Sequence, residues 1–578
     1  MTEILKQIWR FIRIAATGPG SGLSLLLLLA IVGCQLAGIQ VVLRQVQWSA
    51  DFFNALQRLD APVAFAQIGV FALLVGASSG LFLVGRYLKR VLQFRWRRRL
   101  SETLLDRWML NRNYRFLHPS LGGGKAIDNP DQRIAEDCNM FPEFILGKDD
   151  MRAGVLDFIM SLVGLVSYVM LLWKLSDFAL QFSLFGYDFE IPHYMMWAAP
   201  IYVALATLLT HLLGRKLSGL LMQEQRREAD FRFSLVHLRE NAAAVALSGG
   251  EAAERRLLTS RFDDVVTIWH QVIRREFIFG LFSRPYFASV LRIPTFLALP
   301  VFLAGKIPLG GLMQLAQAFT NVVTTLSWLI FNYKFLSDLV ATTRRLQGFL
   351  DAMDGIDPAH ALRRTPSPDD GLHLQKVVVR APDGRVLLDI PALSVGRGET
   401  VWLNGASGLG KSTLFKAMAG LWPHAEGQVA LPPGDLCFMP QQVYLPLGDL
   451  VSAAVYPANS HNMKRGEVED LLREVGLGAR LDAGDDTSGG LSVGEQQRLA
   501  LVRLMVSRPD WIFLDEATSA LDLETERTMM ELLRAKLPEA TLIIVAHREP
   551  QGLDAIRRVE LSCRETATVV PDEAAVSA

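Results

Sequence analysis

Leu23 to Leu43 is an almost unbroken apolar run that begins LSLLLLLAIVG. Five runs of similar length follow it: Ala64–Gly85, Ala153–Trp173, Met195–Leu213, Tyr286–Ala304 and Leu312–Phe331. A bilayer core needs ~20 apolar residues per helix, because backbone polar groups there must be satisfied within the helix. The pattern therefore predicts an α-helical membrane domain of six transmembrane helices over residues 1–350. Prolines and polar residues interrupt the last two runs, which spanning helices tolerate when neighbours re-satisfy the backbone. Half of the 578 residues are hydrophobic and mean hydropathy is +0.24, high values for a soluble protein.

Loop charge sets the expected orientation. The second run is followed by RYLKRVLQFRWRRRL, Arg86 to Leu100, and the fourth by a segment with Arg215, Lys216, Arg226 and Arg227. Loops after the first, third and fifth runs are short and poor in both residues. The positive-inside rule then puts both termini and the two long loops in the cytoplasm, as extensions of the membrane helices. Formal net charge is zero, so nothing points to a nucleic-acid partner. Cys34, Cys138, Cys437 and Cys563 are scattered and support neither a disulfide framework nor a metal site.

The second half has another character. Residues 351–370, DAMDGIDPAHALRRTPSPDD, read as a linker. Residues 371–565 alternate strand and helix patterns, and 566–578 form a loose tail. Within this half, Gly405-Ala406-Ser407-Gly408-Leu409-Gly410-Lys411-Ser412-Thr413 matches the phosphate-loop pattern. It follows an apolar strand, ETVWLNG, and opens a helix, the context the pattern requires. Glycines let backbone N–H groups approach a phosphate, and the helix N-terminus adds its positive end. Lys411 is expected on the β- and γ-phosphates and Ser412 on Mg²⁺.

Trp511-Ile-Phe-Leu-Asp515-Glu516 is an apolar strand that ends in two acids. Asp515 can hold Mg²⁺ and Glu516 can polarise an attacking water. His547 in TLIIVAHRE and Gln441 in FMPQQVY stand just past further strands. The first is a candidate bridge between γ-phosphate and water, the second a candidate contact to Mg²⁺ or water.

These motifs, with LSVGEQQR (Leu491 to Arg498) and IFLDEATSALD, occur in the order and spacing of an ABC-transporter nucleotide-binding domain, an α/β P-loop fold. The resemblance implies ATP and Mg²⁺ as cofactors, ATPase activity coupled to transport, and a homodimer with two shared sites. In such dimers Ser492, Gly494 and Glu495 of one copy face the nucleotide of the other, and the loop holding Asp522 joins the two domains. One copy of each device per chain is then half a machine. Two residues depart from the pattern: Val493 replaces a glycine and Glu495 a glutamine. Val379–Pro382 offers no aromatic to stack on adenine.

Ala50–Asp60, Asp128–Asp137 and Gly310–Phe319 resemble the BacA-like bacterial ABC transporters, relatives of the peroxisomal fatty-acyl half-transporters. That branch implies uptake of peptides or other hydrophilic solutes across the bacterial inner membrane. An exporter or acyl-lipid carrier is the alternative, and a non-transporting gate or regulator is a reading of another class. Gln314, Gln317, Asn321 and Thr324 share one face of the sixth run, and such a stripe faces either a wet cavity or another helix. Arg292 and Asp157 lie at similar depth, which suggests an ion pair between them or a contact to the solute.

Overall fold

The computed structural model describes residues 2–18, 20–110, 113–116, 129–148, 154–184, 187–354, 362–458, 464–483 and 490–561. Asp128, Cys563 and the expected tail 566–578 lie outside them. The chain divides into two compact units: Met1–Asp106 with Asn129–Phe349, and Arg107–Asp128 with Leu350–Ala578.

The first unit is helical. An amphipathic α1 (Thr2–Ala16) leads into α2 (Ser21–Gln57) and α3 (Ala61–Met109). After the short α4 (Asn113–Phe116) and α5 (Pro130–Gln132) come a π turn (Arg133–Asp137), α6 (Cys138–Leu146) and α7 (Val155–Leu175). The antiparallel strands β1 (Ala179–Leu184) and β2 (Tyr187–Pro192) connect α7 to α8 (Tyr194–Glu240). Then follow α9 (Ala242–Leu247), α10 (Glu251–Val290), α11 (Ile293–Leu303), α12 (Leu309–Leu326) and α13 (Trp328–Asp354).

Five helical stretches among the described residues are long and apolar enough to cross a membrane, the last running from α10 into α11. Pro294 stands in the first turn of α11, where a missing N–H breaks no helical bond. The sixth expected run, Leu312–Phe331, is divided: α12 ends at Leu326, and Ser327 separates it from α13. The Ser327 hydroxyl lies 2.9 Å from the Tyr286 hydroxyl, which ties the break to α10. The apolar face of α12 (Leu312, Leu315, Phe319, Val322) is fully buried among α2, α7, α8 and α11.

Two of the segments that carried the sequence resemblance meet here. Asn54 and Gln57 of α2 accept the backbone N–H groups of Gly310 and Leu309 at 3.0 and 2.8 Å, so side chains of one helix cap the start of another. In the third such segment Asp137 is fully buried and accepts Nε of Arg345, on α13, at 2.9 Å and Nη1 of Arg133 at 3.3 Å.

The second unit is α/β. Its strands are β3 (Arg363–Pro366), β4 (Leu372–Arg380), β5 (Val386–Val395), β6 (Thr400–Asn404), β7 (Ala425–Leu431), β8 (Leu436–Met439), β9 (Trp511–Asp515), β10 (Thr541–Val545) and β11 (Ile556–Glu560). A parallel sheet has the order β11-β6-β10-β9-β8, and a second sheet the order β3-β7-β4-β5. Of the residues read as a linker, 351–354 finish α13, 363–366 form β3, and 355–361 lie outside the description. The helices are α14 (Lys411–Met418), α15 (Leu450–Val455), α16 (Arg465–Glu474), α17 (Gly478–Asp482), α18 (Val493–Ser507) and α19 (Leu523–Lys536).

Every residue of β9 and β10 is buried, as expected of parallel strands covered on both faces. Their alternation splits the core. Ile512, Leu514, Leu542 and Ile544 pack toward α15, α16, α18 and α19, whereas Trp511, Phe513, Ile543 and Val545 pack toward α14 and the mixed β3-β7-β4-β5 sheet. One strand thus supports two layers and ends at a single polar edge.

Candidate nucleotide-binding site

That edge is set by strand register. Val545 of β10 pairs with Asp515 of β9 on one side and Leu403 of β6 on the other. The residues that follow these strands, Glu516, His547 and the Gly405–Gly410 loop, therefore emerge together. Gln441 arrives from β8, the neighbour of β9.

The loop fits a phosphate cradle. Gly405, Gly408 and Gly410 have φ of 158°, 79° and 91°, which favour glycine. A Cβ on Gly405 would meet the Leu561 carbonyl at 2.7 Å, and one on Gly410 would meet Leu387 at 2.9 Å. Ala406, Ser407 and Gly408 form the exposed crest. Lys411 is buried and curls its ammonium onto the carbonyls of Gly405 and, at 3.4 Å, Ala406. Ser412 and Thr413 lie in the first turn of α14, where N–H groups lack helical partners. Ser412 Oγ donates to Asp515 Oδ1 at 2.7 Å, so the hydroxyl and carboxylate expected to share a cation are already adjacent. Burial pushes the Asp515 carboxyl above its usual range, and the Ser412 bond opposes this. A bound Mg²⁺ would reverse that balance by stabilising the anion.

Glu516 follows with φ of 51°, an uncommon left-handed conformation for a side chain of its size. Its N–H donates to the Val545 carbonyl at 2.9 Å. His547 Nε2 lies 2.8 Å from one carboxylate oxygen, and Gln441 Nε2 donates to the other at 2.7 Å. The strand ends thus bring Gln441, Glu516 and His547 together beside the loop. This chemistry, a held carboxylate next to a phosphate cradle, is what polarising a water for attack on a phosphate requires.

The LSVGEQQR segment starts α18. Ser492 is its N-cap and accepts the Glu495 N–H at 3.3 Å, while Glu495 accepts the Ser492 N–H at 2.8 Å, a reciprocal capping box. A Cβ at Gly494 would stand in ordinary contact with the Ala520 carbonyl, at 3.5 Å. Asp522 caps α19, accepting from Thr525 N at 2.9 Å and Thr525 Oγ1 at 2.8 Å, and these bonds hold its carboxyl below the usual range. In the segment Val379–Pro382, Val379 is fully buried, and the Arg380 guanidinium lies 3.4 Å from Glu426.

Several residues that the motifs did not single out hold this edge. The amide of Gln497, buried at 1% exposure, accepts from Ala520 N at 3.0 Å and donates to Ser519 Oγ at 3.3 Å, tying α18 to the turn after Glu516. Glu526, equally buried, accepts Thr518 Oγ1 at 2.7 Å and Arg548 Nη2 at 2.9 Å. Its burial inside the polar α19 had no local signal beyond the helical spacing from Asp522. Arg480 donates Nε to Glu495 at 3.0 Å.

The membrane unit contains a cavity of about 430 Å³ lined by Val42, Leu81, Phe82, Arg86, Lys89 and Trp328, among others. The expected pair between Arg292 and Asp157 is not formed. Asp157 lies at the start of α7, where it accepts Gly154 N at 3.1 Å and Gln35 Nε2 at 2.7 Å and pairs with Lys89 of α3. Arg292 lies exposed in the break before α11. Gln314, Gln317, Asn321 and Thr324 do not line the cavity. Among the described residues none of them hydrogen-bonds another helix. Thr324 Oγ1 returns to the Thr320 carbonyl of its own helix at 2.9 Å, and the Asn321 amide nitrogen is buried without a partner.

The ABC transporter transmembrane region 2 family matches residues 17–301, and the ABC transporter family matches residues 388–519. The chain is 33% identical over 531 residues to the inner membrane ABC transporter ATP-binding protein YddA of Escherichia coli (strain K12), covering 91% of this chain and 92% of that one. It is 25% identical over 521 residues to the lysosomal cobalamin transporter ABCD4 of Homo sapiens, covering 82% and 81%. Its fold matches that of a bacterial Atm1-family ABC exporter with ATP bound, with a TM-score of 0.69 at 17% identity and 93% coverage of each chain. These likenesses correct the expected branch. The chain is related to D-family half-transporters on an exporter fold, and not to the BacA-like importers. A multi-span helical membrane domain fused to an α/β P-loop domain of the family that binds ATP with Mg²⁺, matched over most of its length by YddA, places this chain in the ABC transporter family as an ATPase coupled to transport of a solute across a membrane.

Proposed function

We propose that the chain acts as a homodimer that exports an amphiphilic, anion-bearing solute across a bacterial inner membrane. The observation that carries this reading is the cavity. Its wall is apolar along Val42, Leu81, Phe82 and Trp328, and its charged lining holds three cations, Arg86, Lys89 and Lys148, and one acid, Asp157. Lys89 pairs with Asp157, and Lys148 with Glu143 behind the lining at 3.1 Å, which leaves Arg86 as the cation facing a solute. Apolar surface with a few placed charges suits an organic molecule with an anionic group. Arg86 and Lys89 begin the basic segment that the positive-inside rule assigns to the cytoplasm, so the solute loads from that side and leaves outward. The exporter fold agrees, and so does the corrinoid cargo named for ABCD4.

In this reading Lys411 and the loop N–H groups would hold the triphosphate, Ser412 and Asp515 would hold Mg²⁺, which would supply charge neutralisation, and Glu516 would take a proton from the attacking water. His547 and Gln441 orient that carboxylate. Ser492 and Gly494 of the second copy close on the γ-phosphate. A triphosphate between two anion-binding surfaces draws them together, and its hydrolysis lets them part.

ATPase turnover of the full chain in lipid discs tests the cargo, with an acyl-coenzyme A, cobalamin and a basic peptide as separate additions. Stimulation by either of the first two, lost in Arg86→Ala, is the expected result. Stimulation by the peptide alone would remove the proposal.

A further inference from the structure

The LSVGEQQR segment puts an acid in the first turn of the helix that the reading above turns toward a partner's triphosphate. Glu495 cannot simply be protonated away: the Arg480 guanidinium, then the Ser492 N–H, hold its carboxyl down at about 2. An ionised carboxylate at a helix start supports the helix but opposes a second anion there. Arg480 changes that balance. It lies on α17, fifteen positions before Glu495, and presents two nitrogens to the two carboxylate oxygens, at 3.0 and 3.5 Å. The fork leaves one of those oxygens able to accept the Ser492 N–H as well, at 2.8 Å. The Glu495 side chain is 16% exposed and that of Arg480 39%, so solvent screens the pair in part and the two-pronged geometry carries the interaction.

We propose that Arg480 is a positioning residue for ATP held across the dimer: it cancels the Glu495 charge and fixes the capping box, so that the start of α18 can receive the partner's γ-phosphate. Glu495 then shapes the helix start while Arg480 restores its affinity for anions. The proposal rests on the sandwich reading given above, in which Ser492 and Gly494 face the other copy's nucleotide.

The test uses the full chain in lipid discs and two readouts. One is the ATP concentration for half-maximal ATPase. The other is the ATP concentration that closes the two nucleotide domains, read from spin-label distances in a Glu516→Gln background. Arg480→Ala should raise both by about five- to tenfold, the size of an ordinary coupling between two sites. Arg480→Lys should keep most of the response. Adding Glu495→Gln to Arg480→Ala should return both readouts to within about twofold of the parent, since the uncancelled charge is gone.

A merely structural Arg480 would not be rescued by removing its partner. An unchanged Arg480→Ala, or a folded double variant that fails to recover, overturns the proposal. Should Arg480→Ala not fold, Arg480→Gln carries the same comparison. Ser492→Ala separates the two levels. If it leaves ATP-driven closure untouched, the sandwich reading fails. If it impairs closure while Arg480→Ala does not, the Arg480 proposal alone fails.

Discussion

His547 Nε2 stands 2.8 Å from a carboxylate oxygen of Glu516, and the two residues reach each other from adjacent parallel strands. Gln441 holds the other oxygen from the opposite neighbour, β8. The carboxylate is thus fixed from both sides at the end of β9, and its backbone adopts a positive φ. A base held this way needs little reorganisation when water attacks.

Glu516→Gln should therefore lower ATP turnover by about 10²–10⁴-fold, the usual contribution of a positioned general base, while ATP still binds. His547→Ala should lose less, because Gln441 still holds one oxygen. Phosphate release and binding of a fluorescent ATP analogue, measured on the same preparations, separate loss of chemistry from loss of affinity. Parallel loss of both would contradict the assignment.

Glu526 is almost wholly buried and joins Thr518 to Arg548, which also donates to the Leu521 carbonyl at 2.9 Å. Removing the acid leaves a guanidinium and a hydroxyl without their partner in the turn after Glu516. The Arg548 side chain is 46% exposed, so water compensates part of the loss. Glu526→Ala should cost about 1–3 kcal/mol, below the value for a fully buried pair. Glu526→Gln should cost less, since it still accepts one bond. Thermal unfolding of the two variants checks the order.

What could be read from the chain alone was whatever sits at short covalent spacing. The loop Gly405–Ser412, the strand ending in Asp515 and Glu516, and the signature segment Leu491–Arg498 each need only a few consecutive residues. Pairs that depend on tertiary placement were not legible. Asp157 and Arg292 fall at similar places in their apolar runs, but that says nothing of direction around a helix axis. Asp157 points to Lys89 and Gln35 on α3 and α2 instead. The sixth apolar run hid a break at Ser327, because Thr, Ser and Trp in that stretch are compatible with a continuous helix as well as two. Arg480 and Glu526 carried no motif at all. The segments around Asn54 and Gly310 record how α2 meets α12, a packing feature, and not what is carried, so they do not specify the branch of the family.

Gly310 is where that packing is tightest. A Cβ there would stand 2.1 Å from the Ala50 carbonyl, inside α2, so the backbone itself must move. Gly310→Val should destabilise the membrane unit by about 3 kcal/mol, the upper end for overpacking. Asn54→Ala removes only the cap on the Gly310 N–H and should cost about 1 kcal/mol. Unfolding midpoints in detergent test the ranking. A valine variant as stable as the parent would mean that α2 and α12 are further apart than they stand here.

Acid should act on the α18 cap in a definite direction. Glu495 has its carboxyl lowered from 4.5 to about 2, first by Arg480 and then by the Ser492 N–H. A group depressed on folding contributes stability that is complete above its unfolded value and is lost as pH falls toward its folded value. The stability difference between the parent and Glu495→Gln should thus be constant from pH 7 down to about 5 and shrink between 4.5 and about 2. Arg480→Ala should flatten that dependence, because the main cause of the shift is gone. Unfolding midpoints of the three proteins at matched ionic strength between pH 7 and about 3.5 measure it. A difference that grows as pH falls would show that the carboxyl is raised on folding, the opposite of what the Arg480 fork and the Ser492 N–H impose.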